Sequence, residues 1–170
     1  MRILALDLAN NTGMAFGAAT DRRPDLWTEV MGSPGSGDGQ RFTEMMRTML
    51  RVIDQRQPQV VVIEAPIVTG VKGGRARSEQ AMGYRAHVVS ACFIKGVRFE
   101  QFAVQSIRKH FIGKGDLRRD AAKQLAFERC KLLGWQATDL DQADAAALWS
   151  YAGAKLARVQ TAAPFGLFDA

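Results

Sequence analysis

The fold of this chain is decided by residues 2–17, RILALDLANNTGMAFG. Residues 3–6 form an uninterrupted apolar run without a charge, which predicts a buried central strand. Residues 10–13 are a turn cluster and an apolar run resumes at Met14, so the two runs should pair as a β-hairpin. A further run at 26–30, LWTEV, predicts a third strand that completes a meander.

Asp7 interrupts the apolar pattern of the first strand. A second apolar run, Val60–Ile63, also ends in an acid, Glu64, and an amphipathic helix between Gln40 and Pro58 joins the two runs. Strand, helix and strand in this order form a crossover whose strands are usually parallel and close, so Glu64 should lie beside Asp7. Neither apolar run contains a basic residue that could pair with these neighbouring carboxylates, which indicates bound metal ions. The alternative is that the two acids are unrelated turn residues.

A third acidic element lies in residues 138–152, TDLDQADAAALWSYA. Its alanines predict a helix that begins near Asp139 or Asp141. Asp141 and Asp144 share one helix face and could hold one ion, although acids in a first turn also complement the helix dipole. The small residues around Asp144 would let this helix approach the sheet closely enough to reach the other acids. Asp139 stays open as an alternative to Asp141.

Two glycine-bearing loops carry cations. Residues 66–77 follow the second acid with three cations and no acid, before a helix that we expect to begin at the N-cap Ser78. Residues 113–120, GKGDLRRD, form a basic turn that lacks the pattern of a nucleotide triphosphate loop. Both loops predict contacts with phosphates, although a solvated loop is the simpler alternative. Their cations are Lys72, Arg75, Arg77, Lys114, Arg118 and Arg119.

Composition is typical of a basic globular protein. The chain of 170 residues has a formal charge of +6 and an isoelectric point near 9.7, which favours an anionic partner and nucleic acid most of all. Cys92 and Cys130 are predicted to be free buried thiols in a reducing compartment. Neither a signal peptide nor a membrane-spanning run is recognisable, so we expect a cytoplasmic protein without membrane contact.

These motifs resemble the RuvC family of Holliday-junction resolvases, within the ribonuclease H-like superfamily. The matching motifs are Leu-Asp-x-x-x-x-Thr-Gly at 6–13, Val-Ile-Glu at 62–64 and Ala-Asp-Ala-x-Ala-Leu at 143–148. The resemblance implies an α/β fold with a mixed five-stranded sheet, three strands antiparallel and two parallel, flanked by helices. It spans nearly the whole chain, which predicts a nuclease domain at residues 1–157 and a tail at 158–170.

The same resemblance implies a chemistry and a partner. The family's four acidic ligands map onto Asp7, Glu64, Asp141 and Asp144. Its basic residues map onto Arg108 and Arg119, with Lys114 nearby. The implied enzyme is a homodimeric endonuclease that binds two Mg²⁺ ions per site, with Mn²⁺ as a substitute. It would resolve four-way DNA junctions by paired symmetric nicks that leave a 5′-phosphate and a 3′-hydroxyl.

The chain departs from the cellular resolvases at two places. Leu8-Ala9 stands where those enzymes have Pro-Gly after the first acid, and no aromatic residue occurs between Glu64 and Tyr84. These departures look like the phage-borne branch of the family. The missing aromatic residue predicts a weak preference for cleavage sequence.

Other interpretations stay open at this stage. An actin- or sugar-kinase-like ATPase has a similar Asp-to-Thr-Gly hairpin but needs a second domain of similar size. A non-catalytic protein that binds branched DNA needs only the basic loops, and a related nuclease could act on RNA or on replication forks. The apolar tail at 163–169 is expected to fold back onto its domain. It also faintly resembles peptides that bind bacterial sliding clamps, the less favoured partner.

Overall fold

Five strands form one mixed sheet, and five helices flank it. The computed structural model describes residues 1–65 and 75–161, with side chains for all of these except residues 75–78 and 158–161. The strands are β1 (Arg2–Asp7), β2 (Asn11–Ala18), β3 (Asp25–Val30), β4 (Val60–Glu64) and β5 (Arg98–Phe102). The helices are α1 (Asp38–Arg56), α2 (Arg75–Ile94), α3 (Val104–Ile112), α4 (Arg119–Leu132) and α5 (Leu140–Thr161).

Strand β1 lies at the centre of the sheet, whose order is β3-β2-β1-β4-β5. It pairs antiparallel with β2 and parallel with β4, and β4 pairs parallel with β5. Leu6 lies opposite Ile63 in the parallel pair, so the acid that follows each of them comes to the same edge of the sheet. The predicted hairpin, crossover and mixed five-stranded sheet are all confirmed.

Strand β1 is buried on both faces, which explains its uninterrupted apolar sequence. Leu4 and Leu6 pack into a core formed with α1 and α2, whereas Ile3 and Ala5 pack into a second core with α3, α4 and α5. Side chains alternate between the faces of a strand, so Asp7 is next in the series that faces the second core. The same alternation in β4 gives Glu64 that direction.

Gly13 allows α5 to lie directly against the sheet. It is the residue paired with Asp7 across the hairpin, and a Cβ atom at this position would collide with the backbone carbonyl of Asp141. The alanines that surround Asp144 are buried, as predicted from their size. Small residues on both sides of this contact therefore bring the acidic first turn of α5 to the end of β1.

Some boundaries differ from those expected from the sequence. Helix α2 begins at Arg75, so the prediction that Ser78 caps this helix is wrong, and Arg75 and Arg77 lie in a helical turn instead of a loop. Helix ends fray, so the first residue of a helix is hard to locate from the sequence. Helix α5 continues to Thr161, and the division into a nuclease domain at 1–157 and a tail at 158–170 stays a prediction.

Further expectations concern single residues and the chain ends. Cys92 and Cys130 are free and buried, as predicted. Lys72 and the tail at 163–169, with its possible clamp contact, lie outside the described residues. Within the part of the chain that is described, no helix combines the length and the apolar character needed to cross a membrane.

Candidate functional site

The acids predicted from the sequence meet at the carboxyl end of the central strands. Asp7 ends β1, Glu64 ends β4, and Asp144 on α5 lines the same cavity as both of them. Asp141 lies one helical turn before Asp144, and both carboxylates contact the same lysine side chain, so Asp141 joins the cluster. The fold thus gathers four carboxylates from three separate elements.

The positive charge at the centre of this cluster is Lys123 on α4, which the sequence interpretation missed. Its Nζ atom donates hydrogen bonds to Asp7 Oδ2 at 2.9 Å and to Asp141 Oδ1 at 2.7 Å, and it lies 2.9 Å from Asp144 Oδ2. The side chain is only 10% exposed. The available signal was its position, because Lys123 falls in step with Ala126 and Cys130 on the otherwise apolar buried stripe of α4.

Burial raises the pKa values of three of the acids, Asp7, Glu64 and Asp144. Burial raises the pKa of Asp7 to about 6. The charge of Lys123 opposes this shift, and the charge of Asp144 adds to it. Burial, and then the charges of Asp7 and Asp144, raise the pKa of Glu64 to about 8. Burial also raises the pKa of Asp144, although Lys123 and Arg108 oppose it. A cluster of carboxylates with raised pKa values is typical of a functional site.

Lys123 responds in the way that a counter-ion does. Burial alone would lower the pKa of its ammonium, but the charges of Asp7 and Asp144 outweigh burial and raise that pKa above the ordinary value for lysine. The lysine is therefore charged whenever these aspartates are.

Asp139 has a different task from Asp141. Its Oδ1 accepts a hydrogen bond from the backbone N–H of Gln142 at 2.7 Å, and its Oδ2 accepts one from Thr28 Oγ1 at 2.6 Å. Both oxygens thus cap the start of α5 and tie it to β3. Of the two alternatives for the fourth acid, Asp141 is the one that joins the cluster.

The donor chemistry of the cluster suits a hard divalent cation. Carboxylate oxygens are the ligands that Mg²⁺ and Mn²⁺ prefer. Among the described residues, no group of three or more acids, histidines or cysteines is arranged to hold a metal ion, and three of the aspartates converge on Lys123. The ammonium thus occupies the place of a cation among carboxylates whose chemistry suits a divalent ion.

Arginines form the rim of the cavity. Arg108 on α3 and Arg119 at the start of α4, two of the predicted DNA-binding residues, line it, and Arg85 on α2 joins them without having been foreseen. Arg108 Nη1 donates to the backbone carbonyl of Leu117 at 3.1 Å, which holds the chain between α3 and α4 against the site. Three guanidinium groups beside four acids suit a phosphodiester that also contacts metal ions.

Two other predicted DNA-binding cations, Lys114 and Arg118, are not among the residues that line this cavity. Lys114 lines a separate shallow groove with Ser106 and Lys109, and Arg118 is exposed as the N-cap residue of α4. Arg75 and Arg77 are placed only as part of the first turn of α2.

Comparison with known proteins gives matches only at the level of structure. No family model matches the sequence, and no curated protein matches it. Thermus thermophilus RuvC in complex with a Holliday junction substrate matches with a TM-score of 0.73 at 19% identity, over 97% of this chain and 99% of that one.

Two further resolvases are similar. The yeast mitochondrial Holliday junction resolvase Ydc2 matches with a TM-score of 0.66 at 10% identity, over 95% of this chain and 81% of that one. The fowlpox virus resolvase, solved with junction DNA, matches with a TM-score of 0.56 at 12% identity, over 92% of this chain and 99% of that one. The predicted ribonuclease H-like fold is confirmed by these matches.

Proposed function

We propose that this chain, which has the fold of the RuvC-type resolvases, is a metal-dependent endonuclease that resolves four-way DNA junctions by paired nicks. The observation that carries the proposal is the meeting of Asp7, Glu64, Asp141 and Asp144 at one edge of the sheet, beside a rim of arginines. The three solved structures compared above are all Holliday junction resolvases, which supports this proposal.

The acids supply what phosphodiester hydrolysis by metal ions needs. Two Mg²⁺ ions, when bound, would activate a water for in-line attack and stabilise the departing 3′ oxygen. Asp7 and Glu64, at the ends of rigid strands, would fix the position of the ions, and Asp141 and Asp144 would complete their ligands. The products would be a 5′-phosphate and a 3′-hydroxyl, which a ligase can rejoin.

The arginines would bind and orient the DNA strand. Arg108 and Arg119 lie on the same cavity as the acids and would hold the oxygens of the scissile phosphate or of its neighbour. Lys114 and Arg118 lie outside that cavity and would contact phosphates farther along an arm of the junction.

Paired symmetric nicks require two active sites related by a two-fold axis, so we infer a homodimer. Helix α2 offers an apolar surface for it, since Met82 is 41% exposed and Phe93 is 87% exposed. These residues are eleven positions apart, about three helical turns, and therefore lie on one side of the helix.

The deciding experiment is incubation of the purified protein with a synthetic four-way junction. We expect nicks at symmetric positions in Mg²⁺ or Mn²⁺ and binding without cleavage in Ca²⁺. A linear duplex, a replication fork and an RNA–DNA hybrid of matched length serve as substrate controls. A protein that binds the junction without cutting it in either metal would be a structure-specific DNA-binding protein, and the proposal would be wrong.

A further inference from the structure

Lys123 pairs with three of the four acids at once and acts as an internal cation. An ammonium group has three N–H donors, and the Nζ atom of Lys123 has three carboxylate partners, on Asp7, Asp141 and Asp144, all within 2.9 Å. Two of these partners belong to α5 and one to β1, so the lysine joins elements that would otherwise repel one another.

A divalent ion and this ammonium cannot occupy the cluster together. Mg²⁺ binds its oxygen ligands at about 2.0–2.1 Å with near-octahedral geometry. The carboxylate oxygens that it would use include those that Lys123 now holds, and two cations at such distances repel strongly. Binding of the metal therefore requires the lysine side chain to leave.

The cavity offers the departing ammonium a destination. Lys123 lines it together with Arg108 and Arg119, so the lysine is at the wall of the same opening through which DNA would enter. Lysine has a flexible four-carbon stem, and at that opening a DNA phosphate would replace the lost carboxylate partners.

We propose that Lys123 is a built-in counter-ion that competes with divalent ions for the acid cluster and moves from the aspartates to a DNA phosphate when the ions bind. The inference rests on the proposed function for the identity of the phosphate, but the competition itself concerns the protein alone. Its consequence is reciprocal coupling: the protein without DNA binds metal weakly, and DNA and metal strengthen each other's binding.

The test compares Lys123→Met with Lys131→Met in the absence of DNA. Lys131 lies on the same helix, is exposed and pairs loosely with Glu128 at 3.6 Å, so it controls for the loss of one positive charge. Titration with Mn²⁺, followed by the electron paramagnetic resonance signal of the free ion, gives the affinity. We expect Lys123→Met to bind Mn²⁺ on the order of tenfold more tightly or better, and Lys131→Met to match the parent protein.

Structural damage in Lys123→Met would instead weaken Mn²⁺ binding, because a disordered cluster binds metal less well. Equal or weaker Mn²⁺ binding by a folded Lys123→Met protein would overturn the inference. We also expect the metal-free Lys123→Met protein to melt at a lower temperature than the parent, and Mn²⁺ to restore most of the difference.

A crystal structure of the unaltered protein with Mn²⁺ gives an answer even if Lys123→Met does not fold. The inference expects Lys123 Nζ to lie more than about 4 Å from the aspartate oxygens, beyond ion-pair distance. An ion bound in the cluster with the lysine still on Asp7 would overturn it. Neither measurement uses cleavage, so a protein that behaves in this way but never nicks a junction would contradict the proposed function alone.

Discussion

Asp7 and Glu64 are the acids for which side-chain replacement is the most direct test, because each ends a central strand and fills little space. Asp7→Asn or Glu64→Gln removes a charged ligand while retaining size, so we expect junction binding to persist. Nicking should fall roughly a thousandfold or more, since each metal position contributes several kcal/mol to transition-state stabilisation. Single-turnover cleavage of a labelled junction measures the rate.

Asp139→Asn is the matched control for these two variants. Asparagine caps a helix about as well as aspartate, so its single oxygen should still accept the hydrogen bond from the backbone N–H of Gln142. The bond that Thr28 Oγ1 donates to the second oxygen is lost, because an amide nitrogen cannot accept it. We expect its nicking rate to stay within a few-fold of the parent rate. A large loss with Asp139→Asn and none with Asp141→Asn would reassign the fourth ligand.

Glu64 also determines how the stability of the metal-free protein changes with pH. Its pKa of about 8 in the folded protein lies above the ordinary 4.5, so the folded state holds this proton more tightly than the unfolded state. The stability that the folded protein gains from this proton is therefore complete below about pH 4.5 and is lost as the pH rises towards 8. Asp7 and Asp144 repel the charge that then forms, and Arg108 and Lys123 attract it.

The measurement is urea unfolding in a chelator at a series of pH values. We expect the ionisation of Glu64 to lower the free energy of unfolding by about 3–4 kcal/mol between pH 5 and pH 8, and Glu64→Gln to remove that part of the slope. An unchanged slope in Glu64→Gln would show that another group carries it.

At the scale of elements, the approach of α5 to the sheet depends on Gly13. Alanine at this position would press on the backbone at Asp141, which cannot turn aside as a flexible side chain does. We expect Gly13→Ala to lower the free energy of unfolding by about 1–3 kcal/mol and to reduce nicking, because the first turn of α5 must shift. Urea unfolding and cleavage assays measure the two effects.

Gly39→Ala is the control for this prediction. Gly39 lies near the start of α1, and no atom is within 4 Å of the place where its Cβ would be. We expect this variant to be as stable as the parent or up to about 1 kcal/mol more stable, with normal nicking. Equal losses in both variants would mean that the close contact at Gly13 has no special role.

How far the sequence predicted the structure depended on whether the signal was local. The apolar strands that end in Asp7 and Glu64 could be recognised from the sequence because a strand that is buried on both faces has few polar residues. Their parallel pairing could be predicted because a crossover helix joins them. Lys123 could not be recognised in the same way. Its ion-pair partners are in β1 and α5, so its role can be recognised only when the packing of α4 against both elements is known. The start of α2 was also missed, because arginines at a helix start give no capping signal.

At the scale of the whole molecule, we expect Phe93→Glu to produce a monomer. Phe93 is 87% exposed on α2, and a charge there would be buried without a partner in a dimer. The monomer should keep its melting temperature but lose paired nicking of the junction. Leu132→Glu is the matched control, because Leu132 is 85% exposed on α4. Light scattering after size exclusion decides between the two states, and a dimer that survives in Phe93→Glu would rule out this surface.

Recognition of the junction should depend on backbone phosphates more than on bases. Arg75 and Arg77 begin α2, and the positive end of a helix dipole favours phosphate at such a position. We expect their joint replacement by alanine to weaken junction binding and to flatten its salt dependence by up to about two units of slope. Affinity should fall about equally for junctions of different core sequence. A single tetranucleotide cut far faster than all others would indicate base contacts instead.

The dispersal of the acids along the chain has a consequence for synthesis on the ribosome. Asp7 and Glu64 emerge before α5, so the cluster is incomplete until Asp144 has been made. Strand β1 must wait for β4, and both must wait for α5, so the last contacts to form are those of longest sequence separation. A nascent chain without α5 has its arginines but only part of the acid set. If the protein is the proposed nuclease, the capacity to cut would therefore arrive with α5, and unfinished chains would leave the DNA around them intact.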